Sequence, residues 1–134
     1  MKIIVLLGRV LFALIFLAAA PRHFSQEGIT HGADFGVPLA QFFVPLSGVM
    51  AIVGSLSVAT GYRAKWGAWL LVLFLIPVTL GMHQFWTIAD PTLRHVQLSN
   101  FAKNVSMLGA ALMITFFGSG PLSVRAEDGS SARQ

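Results

Sequence analysis

Polar and apolar positions fall in blocks along this chain. Four apolar runs, residues 3–20, 39–60, 66–85 and 101–117, are separated by short stretches that hold nearly all the charges. A helix needs roughly 17–25 residues to cross the hydrocarbon core of a bilayer, and each run is about that long. Lipid offers the backbone no hydrogen-bond partners, so segments that cross it must satisfy themselves as α-helices. The pattern therefore predicts an all-α membrane protein, a four-transmembrane-helix up-down-up-down bundle over residues 1–121, followed by a disordered polar tail over 122–134.

Composition strengthens this reading. Hydrophobic residues make up 55% of the 134 and charged residues only 10%, against about a quarter charged in an average soluble domain. The net charge of +4 is spread over helix ends with no clustered basic face, which argues against nucleic acid and for topology signals and lipid headgroups. The absence of cysteine removes disulfides, thiol redox chemistry and thiolate metal sites. Lys2 followed by an apolar run ending Ala18-Ala19-Ala20 imitates a signal peptide, but Pro21 would directly follow the cut, so the run is kept as the first span. The basic residues Lys2, Arg63, Lys65, Arg125 and Arg133 on one side outnumber Arg22, Arg94 and Lys103 on the other. That bias predicts a bacterial inner-membrane protein with both termini cytoplasmic.

Small residues recur every fourth position at Ser47, Ala51, Ser55 and Ala59, and again at Ala102, Ser106 and Ala110. In lipid, close backbone packing drives helix association, so both rows are expected to face the bundle interior. Pro77 inside the third run removes a backbone hydrogen bond and predicts a kink.

The chemistry-bearing groups collect at the outer ends of three spans. His83 and Trp86 close the third, Lys103 and Asn104 open the fourth beside the candidate caps Ser99 and Asn100, and Arg22 and His23 close the first. Trp86 suits an interfacial aromatic belt and Lys103 suits snorkelling to headgroups. A buried amide without a partner is costly, so Asn104 is expected to bond His83 across the hairpin or to touch a ligand. Arg9 stands inside the first span with no acid in any span to pair with, leaving carbonyls, lipid phosphate or an anionic ligand. The candidate ligand-binding set is therefore His83, Trp86, Asn104, Lys103, His23 and Arg9. No helix places two histidines on one face, so no metal site is expected and haem or copper is disfavoured; no cofactor is required.

Several stretches carry a family resemblance: 9-RVLFALIF-16, 61-GYRAKWGAW-69, 83-HQFW-86 and 101-FAKNVSMLGAAL-112 followed by 118-GSGPLS-123. In this order, on these spans, the chain resembles the DoxX family of small four-span membrane proteins. His23 stands where many members have lysine, and Ala51 where many have glutamate, which weakens any charge-pair mechanism. The resemblance implies a membrane redox setting: an accessory subunit or small hydrophobic-ligand binding module beside an oxidoreductase, more a helper than a catalyst. A subunit of thiosulfate:quinone type, with quinone held by His83, Trp86 and Asn104, is one alternative; a small transporter or lipid-handling protein is another. The bilayer, an oxidoreductase and a second copy of the chain are the expected partners.

Overall fold

The helix that starts earliest relative to its apolar run decides the architecture. In a computed structural model, residues 1–124 are described, and they form α1 (Lys2–Ala19), α2 (Gln26–Asp34), α3 (Ala40–Thr60), α4 (Ala64–Met82) and α5 (Pro91–Phe117), with 3-10 turns at Ala20–Phe24 and Phe85–Thr87. The protein is an all-α membrane protein. Large apolar side chains such as Leu11, Leu73, Leu80 and Phe116 cover its outside, as a lipid-facing surface requires. The tail residues 125–134, with Arg125 and Arg133, lie outside the described part.

Three segments are long and apolar enough to cross a membrane: Lys2–Phe24, Ala40–Thr60 and Ala64–Thr87. Among the described residues the fourth expected span does not meet that criterion. The reason is α5 itself, whose first half carries Arg94, His95, Gln97 and Asn100 ahead of the apolar run and Lys103 and Asn104 within its first turn. α5 also starts ten residues before its apolar run. Asp90 caps it by accepting from Leu93 N at 2.7 Å, with Pro91 in the first turn, an arrangement suited to the missing proline N–H. Ser99, expected as a cap, instead donates to His95 O at 2.9 Å inside the helix.

The helices pack in the order α1, α3, α4, α5, each against the next, while α1 and α5 make almost no direct contact. The core between them consists of Phe16, Ala51, Val58, Ala68, Leu71, Val72, Phe74, Leu75 and Ala111. α3 and α4 approach most closely at Gly54 and Gly67, where an added Cβ on Gly67 would lie 2.8 Å from Gly54 O and one on Gly54 2.9 Å from Gly67 O. No side chain larger than hydrogen fits there.

The small-residue row of α3 does face inward, with Ala51 and Ser55 buried and Ser47 and Ala59 half-buried. The row of α5 does so only at its end: Ala102 and Ser106 are exposed and Ala110 is half-buried, and the inner face is made by Met107, Leu108, Ala111 and Ile114. Spacing alone marked both rows, but bulk near the α4 core selected the other face of α5.

α2 forms in the connection between the first two apolar runs. Ser25 caps it, accepting from Gly28 N at 3.0 Å, and Gly28 and Gly32 let it lie flat on the Ala20–Phe24 turn and on Val44 of α3.

Candidate functional site

The six candidate residues separate between the two ends of the bundle. Arg9 lies near the end that holds the start of α1, the α3–α4 turn and residues 118–124, and it is only 5% exposed. Its Nη1 donates to Ser119 O and, at 2.8 Å, to Ser123 Oγ, and its Nη2 donates to Leu122 O at 2.9 Å. Ser119 Oγ in turn donates to Gly61 O at 2.7 Å, and Val124 N to Thr60 O at 3.0 Å. Positive φ at Gly118, Gly120 and Leu122 coils residues 118–124 so that their carbonyls converge on the guanidinium. Neutral carbonyl dipoles thus replace the acid that the spans lack. Arg9 thus latches α1 to the segment after α5, and residues 122–124, assigned to the tail, are part of that latch.

The opposite end is open. Where α1 and α5 fail to meet, a cavity of about 950 Å³ is lined by the end of α1, the Ala20–Phe24 turn, α2 and the facing halves of α3, α4 and α5. His23, His83, Lys103 and Asn104 all line it, joined by Arg22, His31, Ser47 and Asn100. Pro77 of α4 is in its wall and cannot donate to the carbonyl of Leu73 one turn earlier.

Two histidines are held in defined tautomers. Ser47 Oγ spends its proton on Val44 O at 2.6 Å, so at 2.8 Å it accepts from His23 Nδ1–H. Gly48 brings the turn this close, since a Cβ there would fall 2.7 Å from His23 Cβ. His83 Nδ1 lies 2.8 Å from Gln97 Oε1, an oxygen that can only accept. Both rings therefore keep Nε2 uncommitted. The expected His83–Asn104 bond is corrected: Gln97 takes that place, and the Asn104 side chain, half-buried, has no hydrogen bond among the described residues. Lys103 Nζ reaches only Asn100 Oδ1, at 3.5 Å.

Trp86 is not in the cavity. It is 52% exposed and stacks edge-on against Phe85 and Phe101 at 5.1 and 6.0 Å. Gln97, Arg22 and His31 were missed as site residues. The signal for Gln97 was Asp90-Pro91, which starts α5 early enough to carry residue 97 past His83. Among the described residues no group of three or more metal-ligating side chains gathers to hold an ion.

Fold and cavity together define a multi-pass helical membrane protein with a large, partly polar cavity at one end. The chain belongs to the SURF4 family, whose model matches residues 1–128. It is 23% identical over 124 residues to the inner membrane protein YphA of Escherichia coli, covering 91% of this chain and 88% of that protein. It is 28% identical over 117 residues to the ER-derived vesicles protein ERV29 of Saccharomyces cerevisiae, covering 87% of this chain but only 31% of that protein. No solved structure matches. The SURF4 match overturns the DoxX assignment and the redox-subunit function drawn from it, and neither the quinone-linked nor the transporter alternative gains support.

Proposed function

We propose that the chain is a membrane receptor of the SURF4 family that holds an apolar segment of a partner protein in its open-end cavity. The observation that carries this reading is the cavity itself. Its volume of about 950 Å³ is at the upper end of the roughly 300–1,000 Å³ usual for ligand sites, and its wall has the usual make-up of apolar side chains with a few placed polar groups. Those groups are imidazoles, amides and cations suited to holding rather than cleaving. The similarity to a protein of ER-derived vesicles fits a role in partner recognition at membranes.

In this reading α5 is the fourth span despite its polar first half, because it packs along the whole of α4 and because Lys103 and Arg94 sit near its outer end. Lys2 and Arg63 then mark the terminal end as cytoplasmic. Reporter fusions at residue 1 and after residue 124 test this arrangement, and opposite locations for the two would refute the fourth span.

Binding is tested with the full chain in nanodiscs and fluorescent eight-residue peptides of leucine, valine and phenylalanine. Gly81 lines the cavity, and an added Cβ there meets nothing within 4 Å, so Gly81→Phe fills the space without breaking the helix. Wild type is expected to bind, with affinity falling at least tenfold in Gly81→Phe. Equal binding by both proteins, or none by wild type, overturns the reading.

A further inference from the structure

The charges at the cavity wall are all of one sign. Arg22 and Lys103 line it from opposite sides, on the turn after α1 and on α5, and His23, His31 and His83 line it between them. The acids nearest in sequence, Glu27, Asp34 and Asp90, are absent from the lining. Glu27 meets Arg22 at 3.3 Å, but as an exposed pair, with side chains 60% and 80% exposed for Arg22 and Glu27. Such exposed pairs are weak and readily rearranged. A cavity with low-dielectric walls and charges of one sign focuses its field on the opposite charge.

Donors are in surplus as well. Lys103 Nζ spends at most one of its three protons, on Asn100 at 3.5 Å. The Asn104 amide, the next residue, spends none among the described residues. The floor below these groups is apolar: Phe16, Ala51, Phe74 and Leu75. An occupant of the cavity thus meets both hydrocarbon and donors in one lining.

A peptide satisfies both layers at once where it ends. The last apolar side chain enters the floor and the α-carboxylate on the same residue remains at the rim. The geometry points to the C-terminal carboxylate of an apolar protein end as the ligand of this cavity, received by Lys103 Nζ and the Asn104 amide with Arg22 on the facing wall. This specificity rests on the receptor reading above.

The test uses the full chain in nanodiscs and one apolar octapeptide in three forms: free carboxylate, C-terminal amide, and amide with an added internal glutamate. The free-carboxylate form is expected to bind at least tenfold more tightly than the amide, and Lys103→Gln or Arg22→Gln to reduce that preference to about twofold or less. Both residues are exposed, and an unchanged melting temperature confirms that each variant is folded. Lys103→Arg keeps the preference. Equal binding of carboxylate and amide overturns the C-terminal specificity while leaving the receptor standing. Rescue by the internal glutamate to the affinity of the free carboxylate overturns the C-terminus in favour of an acidic side chain. Absence of binding by all three forms overturns the receptor and this inference together.

Discussion

The two ends of the bundle use the same currency of hydrogen bonds in opposite ways. At the terminal end, Arg9 is buried and its amino groups end on atoms of the chain itself, from Ser119, Leu122 and Ser123, with its Nε alone lacking a partner among the described residues. At the open end, the Nε2 atoms of His23 and His83, the Asn104 amide and most of the Lys103 ammonium are left over. Satisfied polar groups in a low-dielectric interior fix one arrangement. Unsatisfied ones beside an opening are available to something else. The difference teaches that a charge within a span is not by itself a sign of ligand binding; what matters is whether the chain's own carbonyls reach it.

The sharpest way to break this contrast is Arg9→Leu. It strips donors from Ser119 O and Leu122 O, and at about 1–3 kcal/mol for each buried group left unsatisfied it should cost about 3 kcal/mol. The expected readout is a lower melting temperature in detergent and faster proteolysis after residue 118, with peptide affinity within twofold of wild type. Loss of binding with unchanged stability would reverse the assignment of the two ends. Arg9→Lys should recover only part of the loss, because an ammonium lacks the guanidinium fork.

The reciprocal change is Gly48→Val. The new side chain runs into His23 Cβ and the Phe24 ring, an overpacking worth about 2 kcal/mol. Here peptide affinity should drop more than tenfold, because the displaced turn carries Arg22 and His23 into the cavity wall. Ser47→Ala is milder, about 1 kcal/mol for one neutral hydrogen bond. It should release the His23 tautomer, visible as altered imidazole nitrogen resonances of that residue with the His83 signals unmoved. Smallest is Ala102→Leu on the exposed row of α5, expected within about 0.5 kcal/mol of wild type by thermal melting. Ala111→Leu on the inner face should cost about 1–3 kcal/mol. Equal costs for the two would restore Ala102 to the interior.

The helical membrane class was legible because lipid forces it: apolar runs of spanning length admit few other folds. The α3 packing row was legible too, since small residues at spacing four on an apolar helix have little else to do. The start of α5 was harder to see. Its first three turns mix polar residues with Leu93, Val96 and Leu98, which are exposed rather than gathered on an inner face, and the Asp90-Pro91 pair is the signal that announces the helix. Convergence of His23, His83, Lys103 and Asn104 on one cavity could be guessed from their shared depth. The exclusion of Trp86 could not, because the short 3-10 turn Phe85–Thr87 rotates its indole onto Phe101. The latch at Arg9 was not legible because its partners lie 110 or more positions away, in a segment whose glycines and serines read as tail. The family was misassigned on short motifs that basic turns and aromatic span ends produce in many small bundles, whereas the SURF4 match extends over residues 1–128.

The latch also has a mechanical meaning. It pins residues 119–124, just past α5, to α1 and to the end of α3 at Thr60 and Gly61, and the tight Gly54–Gly67 crossing lies toward the same end. The open end has no comparable tie between α1 and α5. Residues 118–124 thus tie one face of the bundle shut, while the gap between α1 and α5 at the other face is left to whatever occupies it.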